Sequence, residues 1–127
     1  MIGRRYCPPH EVIAALEQVF AEPVDGVVVI EHSWYARAHL GTRATTRPNR
    51  ILLACSGAQF AADPELLLHE YFHVVRQWRT GHLTRWRYLT ESVRRGYWAN
   101  RYEREAREFT AAALKPFLLC LDRLPGQ

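Results

Sequence analysis

The chain has 127 residues, which is the length of one ordinary domain with a single hydrophobic core. Apolar residues make up 48% of it and no low-complexity tract interrupts them, so an intrinsically disordered chain is excluded. The net charge of +4 comes almost wholly from arginine and leaves nucleic acid open as a weakly supported partner. The basic start leads into no apolar signal region, and no apolar run approaches the roughly 18 residues of a membrane span. We therefore expect a single domain over residues 1–127, soluble and cytoplasmic, with no membrane partner.

The first half of the chain predicts a mixture of helix and strand. Apolar residues at helical spacing begin at a proline and predict an amphipathic helix over residues 9–20. β-branched runs predict strands over residues 27–30 and 49–54, with a loop or irregular hairpin between them. The three cysteines are far apart and odd in number, which fits neither a disulfide framework nor a cysteine metal knuckle.

The second half predicts three helices. Asp63 as N-cap and Pro64 in the first turn open a helix over residues 63–80, and Gly81 ends it. A helix over residues 84–95 ends at Gly96, and Asn100 caps a last helix that reaches residue 121 and bends at Pro116. The expected fold class is α+β, with a short mixed sheet and a helical C-terminal half.

The first of these helices carries the motif His69-Glu70-x-x-His73. Histidines four residues apart project from one face of a helix and can bind one zinc ion, with Glu70 beside it as a general base. The alternative is that the histidines are satisfied core residues and that Glu70 pairs with Arg76 or another basic side chain. Eight apolar or aromatic residues surround the motif, and burying unpaired polar groups among them would be costly, which favours a metal.

Catalytic zinc usually has three protein ligands, so a third must lie downstream. A metzincin pattern is excluded because position 79 is an arginine. The candidates are His82 and a carboxylate of the last helix, where Glu103 shares an apolar, inward-facing stripe with Ala106 and Ala113. Glu105 and Glu108 lie on a face where they can pair with arginines in water. Glu103 is the best candidate, although it also fits a capping pair with Asn100.

The motif HEYFH, followed thirty residues later by YEREAREFTAAAL, resembles the gluzincin branch of the zinc metallopeptidases. The longer pattern is similar to compact bacterial metallopeptidase domains associated with contractile injection systems, and the last helix resembles that of the ImmA/IrrE peptidases. The resemblance implies a zincin-like fold, a Zn²⁺ cofactor and Glu103 as the third ligand after His69 and His73. Many relatives carry an acidic or amide residue where this chain has Arg107, so a supporting hydrogen bond from that position is not expected here. Gln77 is one turn beyond His73 and is the candidate to replace it.

The predicted activity is hydrolysis of peptide bonds in a peptide or protein substrate. Zinc would activate a water, Glu70 would take its proton, and Tyr97 would stabilise the oxyanion, with Tyr88 and His82 as alternatives. The substrate would extend along residues 51–54 as an edge strand.

A different class of function also fits parts of the sequence. Four tryptophans stand near arginines, so a zinc-stabilised, non-catalytic module that binds protein or nucleic acid is the alternative. The presence of Glu70 argues against that module, because a structural zinc site needs no general base.

Overall fold

Four short strands form a mixed sheet and five helices pack beside it, in the residues 3–33 and 43–123 that this computed structural model describes. The strands are β1 (Arg4–Tyr6), β2 (Val28–Glu31), β3 (Ala44–Arg47) and β4 (Arg50–Leu53). The helices are α1 (His10–Phe20), α2 (Gly57–Ala61), α3 (Pro64–Phe72), α4 (Arg85–Ala99) and α5 (Arg101–Arg123), and α3 continues as a π-helical segment, His73–Trp78. The predicted α+β class with a short mixed sheet is confirmed.

The sheet has the strand order β1-β2-β4-β3. The two central strands β2 and β4 are parallel, with Val29 opposite Ile51, and both outer pairs are antiparallel. The central strands are the two that β-branched and leucine runs predicted, and Val29, Ile51 and Leu53 are buried in the core. The prediction that residues 51–54 form an edge strand is wrong, because β4 is hydrogen-bonded on both sides. Within the described part of the chain, the outer strand on that side is β3.

The hydrophobic core lies between the sheet and the helices α1, α3 and α5. Helix α1 contributes Leu16 and Phe20, both fully buried, as its amphipathic spacing predicts. Helices α3 and α5 pack closely against each other, and the buried small residues Ala106 and Ala113 of α5 permit this approach.

The helix that carries the histidines begins as the sequence predicts. The Asp63 carboxylate accepts a hydrogen bond from the backbone N–H of Leu66 at 3.1 Å, and Pro64 occupies the first helical position. The predicted single α-helix to residue 80 is wrong in its second half, because the backbone N–H of Arg79 bonds to the carbonyl of Val74, five residues back. The turn widens there, and His73, Val74, Val75 and Gln77 all become buried.

The C-terminal half consists of α4 and α5. The predicted break lies at Gly96, whose φ of 79° and ψ of 168° interrupt α4 before its end. Helix α5 starts after Asn100 and runs through Pro116 to Arg123. Among the helices described, none combines the length and apolarity that a membrane crossing requires.

Candidate metal centre

Three side chains from two helices converge where α3 lies against the start of α5. Glu103 Oε1 lies 3.0 Å from His69 Nε2 and 3.1 Å from His73 Nε2, and the two imidazole nitrogens are 3.3 Å apart. Tetrahedral zinc ligands at about 2.0–2.1 Å from the ion lie about 3.4 Å from one another. The donor set is thus close to the size and chemistry that one zinc ion requires. The structure brings together the three residues that the sequence singles out as ligands.

Without a metal, the same contacts are hydrogen bonds among the three side chains. Burial raises the pKa of Glu103, but the hydrogen bonds from His69, His73 and Tyr88 outweigh it and hold that pKa well below its usual range. Burial likewise lowers the pKa of His73, but its bond to the Glu103 carboxylate outweighs this effect and raises the pKa to about 9. A metal ion that binds here therefore displaces a proton from His73.

Both oxygens of the Glu103 carboxylate are engaged. Oε1 faces the two histidines, while Oε2 accepts a hydrogen bond of 2.8 Å from the hydroxyl of Tyr88 in α4. Of the three side chains proposed as oxyanion donors, Tyr88 is the one that contacts a candidate ligand in the described structure. This contact orients the carboxylate and links α4 to the site.

Asn100 positions Glu103 through the backbone. Its Oδ1 accepts hydrogen bonds from the backbone N–H groups of Tyr102, at 2.8 Å, and of Glu103, at 3.4 Å. Its Nδ2 donates to the carbonyl of Tyr88 and to the hydroxyl of Ser92. The predicted N-cap is confirmed. The Glu103 carboxylate points to the histidines and Tyr88, so this residue is more than the acid of a capping pair.

A second layer of contacts holds His73. Its Nδ1 lies 2.6 Å from Oε1 of Gln77, whose side chain is fully buried. Gln77 Nε2 donates to Glu105 Oε1 at 2.9 Å and to the backbone carbonyl of Tyr102 at 3.0 Å. Gln77 therefore contacts the candidate ligand that it was expected to support. Glu105, for which the sequence predicts only the possibility of pairing with arginines in water, also contacts this buried amide.

Glu70 follows the first histidine on the same helix and is buried, with 7% of its surface exposed. Burial raises the pKa of its carboxyl, and the nearby charges of His73 and His69 oppose this shift. The alternative pairing with Arg76 is wrong, because Arg76 donates to the carbonyl of Phe20 at 2.7 Å and pairs with Glu22. In the described residues we find no hydrogen bond to the Glu70 carboxylate, which leaves it available to bind a water or a substrate proton.

The sequence also offers His82 and Tyr97 as candidates. His82, the alternative third ligand, is exposed and packs its ring edge against Tyr102, with 6.0 Å between the ring centroids. The side chain of Tyr97, the candidate oxyanion donor, lies outside the described part of the chain, so its role stays a prediction.

A cavity of about 270 Å³ opens beside His69, between α3 and α5. Its wall combines charged and apolar side chains. The lining residues are Glu65, His69, Arg107, Thr110, Ala111 and Leu114. Arg107 thus stands at a cavity wall, in the position where the resemblance implies an acidic or amide residue.

The tryptophans give mixed support to a nucleic-acid surface. Trp78 is half-buried and donates its indole N–H to the hydroxyl of Thr46 in β3, so it has a structural role. Trp86 is 77% exposed on α4. Trp34 and the Trp98 side chain lie outside the described residues.

Comparisons of this chain with protein-family models, with curated proteins and with solved structures found no match. The similarity to the gluzincins therefore depends on the two motifs alone and stays a prediction.

Proposed function

We propose that this chain is a zinc-dependent metallopeptidase in which His69, His73 and Glu103 hold the metal. The observation that carries the proposal is the convergence of two imidazole nitrogens and one carboxylate oxygen at 3.0–3.3 Å from one another. Three protein ligands with one open position are typical of catalytic zinc, whereas structural sites usually have four. When bound, zinc supplies Lewis-acid chemistry, which polarises a carbonyl group and acidifies a water.

Glu70 is the general base in this proposal. It sits next to His69 in sequence, is buried, and interacts electrostatically with both histidines. Burial raises its pKa, which improves its match to proton transfer near neutral pH. Glu70 accepts the proton of the attacking water and passes it to the leaving amine nitrogen, so that one carboxylate serves both steps.

The substrate is proposed to be an extended peptide that lies along β3. This strand is outermost in the described sheet, and the bond from Trp78 to Thr46 ties it to the segment that follows His73. The cavity beside His69 is large enough for one substrate side chain, and Ala111 and Leu114 in its wall favour an apolar one.

The test is replacement of Glu70 by Gln in purified, zinc-loaded protein. We expect Glu70→Gln to lower the cleavage of an unstructured polypeptide by about 10²–10⁴-fold, because the amide cannot accept the proton. Zinc content, measured by mass spectrometry, and the thermal midpoint should stay unchanged. Glu108→Gln is the matched control, because Glu108 is an exposed acid of α5 that is not among the residues lining the cavity, and it should retain far more activity.

The outcome that would contradict the proposal is a wild-type protein that binds zinc and cleaves nothing. If such a protein bound a polypeptide or nucleic acid equally well with Glu70→Gln, the non-catalytic module would be the better description.

A further inference from the structure

The amide of Gln77 lies at the centre of a buried hydrogen-bond chain that joins α5 to His73. Its oxygen lies 2.6 Å from His73 Nδ1, and its nitrogen lies 2.9 Å from Glu105 Oε1 and 3.0 Å from the carbonyl of Tyr102. Gln77 itself is 1% exposed and Glu105 is half-buried, so the amide has these protein partners in place of bulk water.

The partners determine which way the amide faces. A carboxylate and a backbone carbonyl are acceptors only, so the group that faces Glu105 and Tyr102 must be the NH₂ donor. The opposite orientation would place the amide oxygen against two acceptors in a buried position and leave both hydrogen bonds unmade, which is strongly unfavourable. The amide oxygen therefore faces His73.

This orientation determines the tautomer of His73. An amide oxygen accepts only, so the hydrogen of the 2.6 Å contact must sit on Nδ1 of the imidazole. In the neutral ring Nε2 then carries the lone pair, and Nε2 is the atom that faces Glu103 and His69. The ring is thus oriented for metal binding before any metal arrives.

We propose that Glu105 is a positioning residue that acts through Gln77 to fix the tautomer and orientation of His73. The inference rests on the metal site proposed above and adds a residue to its supporting contacts. Arg107 has no acceptor atom and so cannot serve a ligand histidine in the way that an acidic residue could. In this chain Glu105, two residues earlier on α5, reaches the histidine through the intervening amide.

The first test is zinc affinity, measured by competition with a chelator at fixed pH. Outer-shell partners of zinc ligands typically account for 10–100-fold in affinity, and we expect Glu105→Ala to weaken zinc binding by about this factor. Glu105→Gln should restore most of the affinity, because its amide oxygen still accepts from Gln77. The matched control is Glu108→Ala, which removes an exposed acid of the same helix and should leave the affinity unchanged.

The second test is NMR of protein labelled with ¹⁵N-histidine. We expect a slowly exchanging Nδ1–H resonance for His73 in the metal-free and zinc-loaded protein, and much faster exchange with water in Glu105→Ala. A role limited to stability would change the thermal midpoint and leave this resonance in place. Glu105→Ala therefore separates positioning from folding.

The proposal would be overturned if Glu105→Ala and Glu108→Ala had the same zinc affinity, or if the Nδ1–H of His73 exchanged freely in the wild type. Neither measurement depends on hydrolysis. A zinc-binding protein without peptidase activity would refute the proposed function and leave the role of Glu105 standing, whereas an active enzyme insensitive to Glu105→Ala would do the reverse.

Discussion

The two ends of α5 are stabilised by different interactions. Towards its C-terminal end, Ala113 and Phe117 are buried among apolar side chains of the core. In its first turn, Glu103 is buried and contacts His69, His73 and Tyr88. The preceding Asn100 is also buried, and both its amide oxygen and its amide nitrogen make hydrogen bonds. Apolar burial is non-directional, whereas the polar end depends on the position of each donor and acceptor.

The apolar end therefore contributes to the stability of the fold, while the polar end is the part that a bound metal ion or proton can affect. The apolar end should respond to lost volume and be indifferent to metal and pH. The polar end should respond to both, because its groups change charge when a proton or an ion binds. The comparison therefore leads to four predictions, ordered from the largest expected effect to the smallest.

The largest effect is expected at the apolar end. Phe117→Ala removes a fully buried ring and should lower the free energy of unfolding by about 3–5 kcal/mol, through lost burial and the cavity left behind. Urea denaturation of the metal-free protein measures this loss of stability. Leu118→Ala on the same helix is the control, since Leu118 is 41% exposed and should cost far less. Equal losses for the two variants would contradict the proposed apolar packing.

The second largest effect is the stabilisation of the folded protein by bound zinc. Zinc at about a hundred times its dissociation constant should stabilise the wild type by about 2.7 kcal/mol, by mass action on the folded state. Glu103→Ala removes the carboxylate that faces both histidines and should abolish most of this gain. Denaturation with chelator and with zinc compares the two proteins, and an unchanged zinc gain in Glu103→Ala would show that the ion binds elsewhere.

A pH change should act on the polar end alone. The pKa of His73 is raised to about 9 from an ordinary 6.5, so its stabilisation is fully present below pH 6.5 and is lost as the pH rises through 9. We expect the metal-free protein to lose on the order of 1–2 kcal/mol between pH 7 and pH 9.

The zinc-loaded protein provides the contrast for this prediction. Zinc requires an Nε2 lone pair, so its binding should strengthen over the same pH range. Urea denaturation at pH 7 and pH 9, with zinc or with chelator, measures both trends. A metal-free protein that is more stable at pH 9 than at pH 7 would contradict the ion pair of His73 and Glu103.

The smallest effect compares two helix caps. Asn100→Ala removes the N-cap of α5, whose amide oxygen accepts from the backbone N–H of Tyr102. Ser56→Ala removes the N-cap of α2, where the Ser56 hydroxyl accepts from the backbone N–H of Gln59. Each should cost about 1 kcal/mol of stability. Only Asn100→Ala should also weaken zinc binding, because it frees the turn that carries Glu103. Equal zinc affinities in the two variants would show that the cap does not position the ligand.

The elements that the sequence predicts are those with strong local signals. The central strands have β-branched runs, and α3 has the Asp63 cap and Pro64. The strands β1 and β3 and the helix α2 are three to five residues long and lack such runs, so their apolar pattern is too short to show. Helix α2 does carry a capping signal in its sequence, because Ser56 and Gln59 have the spacing of a capping box.

The candidate site divides in the same way. The spacing of His69 and His73 predicts one shared face, because the helical repeat sets the position of residues four apart. Gln77 could be proposed as a partner of His73 for the same reason, because it lies one turn further along the helix. The contacts of Glu105 and Tyr88 could not be predicted, because helical periodicity describes one helix at a time and does not say which groups of another helix will lie against it.

By itself, then, the sequence determined the fold class, the pair of histidines with their glutamate, and the cap that starts α5, since each depends on residues that are neighbours along the chain. The tertiary structure alone decided that Tyr88 contacts Glu103, that Glu105 reaches His73 through Gln77, that the helix widens after His73, and that β4 is interior. These features depend on how distant elements pack, and packing is settled by burial of the whole core rather than by any local pattern.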